Sequence, residues 1–183
     1  MVDHKLFLII AILSALVISA AVQAQDSSLT NIENQIKQIG ALPSGSAFVL
    51  QATDTELTED AKELLAKYQT QVNEALKKTT NMKIEVSDPL IKFGEGYADI
   101  SIRAGVSFIR GTAKMSIVLT AQDGKPVVTV RSMSIPVVNI SADQANGYIK
   151  TYATPFINQL TNYCTVQSIE IQEGTIKIMG TRS

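Results

Sequence analysis

Few side chains in this chain could do chemistry, and their spacing limits what kind. His4 is the sole histidine and Cys164 the sole cysteine. One cysteine cannot build a zinc site. A Ser-His-Asp triad or a Cys-His pair needs a histidine in the folded body, and His4 lies at the extreme N-terminus. Carboxylates remain. Glu95 and Glu173 each stand beside a glycine in two segments that read alike, Ile91 to Ile100 and Ile169 to Ile178, both with apolar residues at alternate positions. Two such carboxylates can divide acid and base roles in glycoside hydrolysis. A glutamate at a hairpin tip is ordinarily a solvated turn residue, and that is how these two read. Gly94-Glu95-Gly96 is followed by no Lys-Ser/Thr and is no phosphate loop. Asn139-Ile140-Ser141 is a glycosylation sequon, but Asn139 equally suits the turn into a helix. The inventory gives no catalytic residue, no metal ligand set and no cofactor, so the chain reads as a protein that is not an enzyme.

The elements that carry these residues are legible from periodicity. Leu29, Ile32, Ile36 and Ile39 form a short helical stripe in a spacer or stalk covering residues 25–46, ended by Gly40, Pro43 and Gly45. A strand, Ala47 to Ala52, follows. A long amphipathic helix is expected from an N-cap at Thr58, with Glu59 and Asp60 in its first turn and a stripe of Ala61, Leu64, Leu65, Tyr68, Val72, Ala75 and Leu76. Met82 to Val86 reads as a short strand ended by a Ser87-Asp88-Pro89 turn. Leu90 to Phe93 and Tyr97 to Val106 flank the first Glu-Gly hairpin. Ala98, Ile100, Ile102 and Ala104 then Ala113, Met115, Ile117 and Leu119 alternate with polar residues, giving one dry face. Asp123-Gly124 is a hairpin turn leading to Val127 to Ile135. Ser141 with Gln144 is a capping box, with Ile140 stapled on Ala145, for a second helix running to Cys164, which Pro155 either bends or splits in two near Thr151 to Thr154. Val166 to Ile171 and Thr175 to Met179 form the closing hairpin.

Composition sets the outer limits. The chain has 183 residues and a formal net charge of −1, so no long-range field selects nucleic acid. Lys5 precedes an apolar run from Leu6 to Val22, and Val22-Gln23-Ala24 suits signal peptidase. Residues 1–24 are therefore expected to be a signal peptide or an N-terminal membrane anchor, since the run is at the short end of the roughly 17 to 25 residues that cross a bilayer. In either case the body is expected outside the cytoplasm: secreted, periplasmic or on the outer face of the cell membrane. Residues 47–183 form one domain, and with a single cysteine its stability must come from its core.

The order of these elements is similar to that of a known superfamily. Phe48-Val49-Leu50 leads into Glu56 to Leu65, then come Glu-Gly hairpins, Asp123-Gly124, a Ser141-capped helix and a final strand pair ending Ile178-Met179-Gly180. Over roughly residues 47–182 this resembles small membrane-tethered or secreted proteins of the tubular lipid-binding (TULIP-like) superfamily. The resemblance implies an α+β fold, with a highly curved antiparallel β-sheet packed against two long amphipathic helices and lipid tails held between them. It departs at the mouth, where only Pro126 and Pro136 could correspond to the prolines and glycines of some relatives. The expected function is non-catalytic binding or transfer of acyl chains. The partners would be a lipid or other apolar ligand and, where tethered, a membrane surface. Alternation places Leu64, Leu65, Tyr68, Val72, Ile100, Ile102, Met115, Ile117, Phe156, Ile157 and Leu160 as the apolar lining, with Met82, Met115, Met133 and Met179 as adaptable fillers. The alternative is a membrane-tethered structural or protein-interaction domain whose apolar faces simply meet in a closed core.

Overall fold

Alternating strands with one apolar face must bury it, and here they do so in two layers. The computed structural model describes residues 31–80, 84–106, 109–134, 141–150 and 163–183. Helix α1 (Asn31–Gly40) leads to β1 (Ala47–Thr53) and then directly into α2 (Asp54–Thr80). Four strands follow: β2 (Ile84–Gly94), β3 (Tyr97–Val106), β4 (Ile109–Gln122) and β5 (Lys125–Ser134). A short helix α3 (Ala142–Tyr148) precedes β6 (Cys164–Gln172) and β7 (Thr175–Arg182). All pairings are antiparallel. The strands form a four-stranded sheet ordered β2-β3-β4-β5 and a three-stranded sheet ordered β1-β7-β6.

This corrects the expected fold class. The chain is mainly β, with two sheets of three and four strands rather than one highly curved sheet, and neither sheet is strongly curled. The reason lies in β1. It pairs with β7 at the far end of the chain, from Ala47 opposite Thr181 to Thr53 opposite Thr175, so it joins the closing hairpin instead of extending β2. Of the two long helices expected, α2 is one. The second is described only over α3 and its continuation to Lys150. Its Pro155 bend lies outside the described residues, as do residues 1–30, Met82, Ile135, Pro136, Asn139 and the Ile140 staple.

Three single-residue bulges set which side chains point inward. Ser87 pairs with Arg103 but Leu90 with Ser101, so one extra residue sits in β2. The bulge re-phases the alternation and lets Val86, Ile91 and Phe93 all face the core at 0%, 3% and 6% exposure. The expected Ser87-Asp88-Pro89 turn is thus a bulge inside one continuous strand, with Asp88 at φ 52. The Ser87 hydroxyl donates to Asp88 Oδ2 at 3.0 Å, and Arg103 lies 3.0 Å from the same oxygen. Similar shifts between Ser116 and Ile117 in the β4/β5 register, and between Val166 and Ser168 in β6/β7, bring Val130 and Ile171 inward.

Helix α2 begins earlier than the sequence reading placed it. Glu56 N–H donates to Thr53 Oγ1 at 3.1 Å and Thr53 N–H donates to Glu56 Oε2 at 2.8 Å, a reciprocal capping box at Thr53. Thr58 is therefore inside the helix, 6% exposed, on one stripe with Ala61 and Leu65. The Ser141–Gln144 capping box of α3 is as expected.

Candidate functional site

The lining residues come from α2, β3 and β4, and the fold brings the described ones together. Leu65, Ile102, Met115 and Ile117 are buried, at 4%, 4%, 3% and 7% exposure, and belong to one apolar cluster with Phe93, Val130, Ile149, Ile171 and Ile176. Ile100 packs on that cluster half-buried, as do Leu119 and Met133. Leu64, Tyr68 and Val72 lie in α2. Phe156, Ile157 and Leu160 lie outside the described residues. The cluster draws on both sheets, α2 and α3, so the inner faces meet one another. Burying each large aliphatic side chain stabilises this arrangement by about 1.5–3 kcal/mol.

Side chains that the sequence reading did not single out close the seams. An outer strand of a sheet presents unpaired N–H and C=O groups that invite another strand. On β2, the Thr58 hydroxyl donates to the Ile91 carbonyl at 3.2 Å and accepts from the Ile91 N–H at 3.0 Å. Farther along the same edge Gln69 Nε2 donates to the Val86 carbonyl at 3.2 Å. On β5, Asn146 Oδ1 accepts from Val130 N–H at 2.7 Å and Asn146 Nδ2 donates to the Val130 carbonyl at 3.2 Å. On β1, Gln35 of α1 makes the same two-point pairing with Gln51, at 3.2 and 3.0 Å. On β6, backbone turns take this part: Val166 N–H donates to Gly124 O at 2.8 Å and Gly96 N–H donates to Ile171 O at 3.0 Å. Every outer strand is thus covered at one point or more by a helix side chain or a turn. The readable signal is a polar residue set among apolar helix neighbours, such as Thr58 beside Ala61 and Leu65.

The two Glu-Gly hairpins, alike in sequence, touch in space. Gly96 N–H bonds to Ile171, while Gly174 N–H donates to Phe93 O at 3.1 Å and Asp54 N–H donates to Gly174 O at 3.0 Å. Their bond partners are backbone groups, and Glu95 and Glu173 both point to solvent. Beside them Lys92 lies 3.2 Å from Asp54. Partial burial pushes the Asp54 carboxyl up. The hydrogen bond and charge of Lys92, with the Thr55 hydroxyl and the Phe93 backbone, outweigh this and hold it below its ordinary value. Burial pushes the Cys164 thiol up, partly countered by the Arg182 charge.

A surface cleft of about 360 Å³ opens at the far end of the four-stranded sheet. It is lined by Gln69, Glu85, Ser87, Arg103 and Arg110 together with Val86, Ala104 and Gly105. Charged groups of both signs in its lining suit water better than an acyl chain. Among the described residues no group of three or more His, Cys, Asp or Glu could hold a metal ion. Among them, too, no helix is long and apolar enough to cross a membrane. No protein-family model matches the chain, and the search of curated proteins gave no match.

Proposed function

We propose that this chain is a non-catalytic interaction or structural module, held outside the cytoplasm by its N-terminal segment, that works through its surface and not through an internal cavity. One observation carries this reading: Leu65, Ile102, Met115 and Ile117, four of the eleven residues that the lipid reading places along a channel, pack with side chains of both sheets in one core. Acyl-chain binding, which the TULIP-like resemblance implies, would require α2 to lift from β2. That motion breaks the Thr58–Ile91 and Gln69–Val86 hydrogen bonds and exposes the core to form the channel. A ligand would have to return that free energy at about 0.8 kcal/mol per buried methylene.

Native mass spectrometry of the full chain released from detergent tests the reading. The expected spectrum is that of the bare polypeptide. Retention of acyl lipid in stoichiometric amount would overturn the closed-core module and restore the lipid carrier.

A further inference from the structure

The covers over the four outer strands are not equally anchored. Helix α2 sends Thr58, Ala61 and Leu65 into the core, and α3 sends in Ala145, at 1% exposure, with Ile149 at its end. The cover on β6 is the backbone of neighbouring hairpins. Helix α1 differs. Among its described side chains none is buried, and among the described residues the side-chain hydrogen bonds from it to β1 are those of Gln35 with Gln51. The strand under it is also the most adhesive. Ala47 to Ala52 reads Ala-Phe-Val-Leu-Gln-Ala, without charge or proline, and Val49 is 58% exposed. Such a strand pairs readily with another once its edge is open.

The geometry of the edge fixes what fits. Gln51 turns its N–H and C=O away from β7 toward Gln35, so Val49 and Ala47, two and four residues back, do the same. The stretch is bounded at both ends. Thr53 N–H is taken by Glu56, and Gly45 N–H by the Arg182 carbonyl at 2.8 Å. Three outward positions spaced by two, with stops on either side, match themselves about a two-fold axis through Val49. Ala47 then faces Gln51 of the other copy and Val49 faces Val49, giving six hydrogen bonds between chains and no like-charge pair.

We infer that α1 is a displaceable cover and that, when Gln35 releases Gln51, β1 pairs antiparallel with β1 of a second copy to make a six-stranded sheet. This rests on the interaction-module reading and names its partner as the chain itself. The Gln35 contact sets the balance between covered monomer and paired dimer.

The test compares full-length wild type with Gln35→Ala by sedimentation velocity in density-matched detergent, together with amide exchange at Gln51. Gln35→Ala is expected to speed Gln51 exchange at dilutions that keep the chain monomeric, and to tighten self-association at least tenfold, the factor corresponding to 1.4 kcal/mol. Adding Val49→Lys should return it to monomer. In a Cys164→Ser background, Val49→Cys should form a disulfide between copies, because residues directly opposite in a hydrogen-bonded pair lie about 5.5 Å apart at Cα. A Gln35→Ala chain that exchanges faster at Gln51 yet stays monomeric overturns the inference. So does a dimer that persists with Val49→Lys, and so does Gln51 protection that survives the loss of Gln35 in the monomer. None of these results bears on whether the core holds lipid, so the two readings fail separately.

Discussion

Replacing Thr58 by valine should cost this protein more than its size suggests. The two side chains have nearly the same shape, so no cavity forms. The substitution instead removes the one hydroxyl that serves both the N–H and the C=O of Ile91, at 3.0 and 3.2 Å. Ile91 is 3% exposed, so water cannot easily take the hydroxyl's place. A buried donor or acceptor left without a partner costs about 1–3 kcal/mol, which puts the pair at roughly 2–6 kcal/mol. Thr58→Ser keeps the hydroxyl and loses one methyl group, about 0.8 kcal/mol. At a urea m-value of about 2 kcal/mol/M, Thr58→Val should lower the unfolding midpoint by about 1–3 M and Thr58→Ser by about 0.4 M. The Ile91 amide should also exchange faster in the valine variant. If valine proves no worse than serine, the hydroxyl does not close the α2–β2 seam and the reasoning fails.

The other edges give parallel predictions. Asn146→Leu keeps the branched side-chain shape but leaves Val130 unbonded, so it should destabilise by about 1–3 kcal/mol, read as a lower Tm, with faster exchange at the Val130 amide. Gly180→Ala places a methyl group against the Thr165 carbonyl and the Phe48 ring, where backbone cannot yield. It should cost at least about 1–3 kcal/mol by denaturant unfolding, whereas Gly40→Ala, in open space, should not. The depressed carboxyl of Asp54 contributes stability that is present above the ordinary carboxylate pKa of about 3.9 and is lost as pH falls through its folded value. Lys92→Met should raise the Asp54 pKa in an NMR titration and flatten the acid limb of the stability profile.

Much of this architecture is legible in the chain. The Glu-Gly and Asp123-Gly124 hairpins, the Ser141 capping box and the dry faces of β3 and β4 all follow from local pattern, and local pattern decides them. The split into two sheets does not, because it depends on β1 meeting β7 across the whole chain. The start of α2 lies in Thr53-Asp54-Thr55-Glu56, a capping box that competes in the sequence with an N-cap at Thr58. Thr58 is the better lesson. As an N-cap it would be a helix-end residue, whereas its burial beside Ala61 and Leu65 makes it a clamp on a neighbouring strand. The bulge at Asp88-Pro89 escaped for a similar reason. Proline after a polar pair reads as a turn, and only the need to bring both Val86 and Ile91 inward identifies an inserted residue within a strand.

The central claim is that the apolar faces of the described strands and helices meet in one core. The most direct measurement is photolabelling of the full chain with a diazirine fatty acid, followed by peptide mapping. The closed core predicts no label on the peptides carrying Leu65, Ile102, Met115 and Ile117, with any label confined to residues 1–24. Saturable label on those core peptides, competed by unlabelled fatty acid, would contradict it.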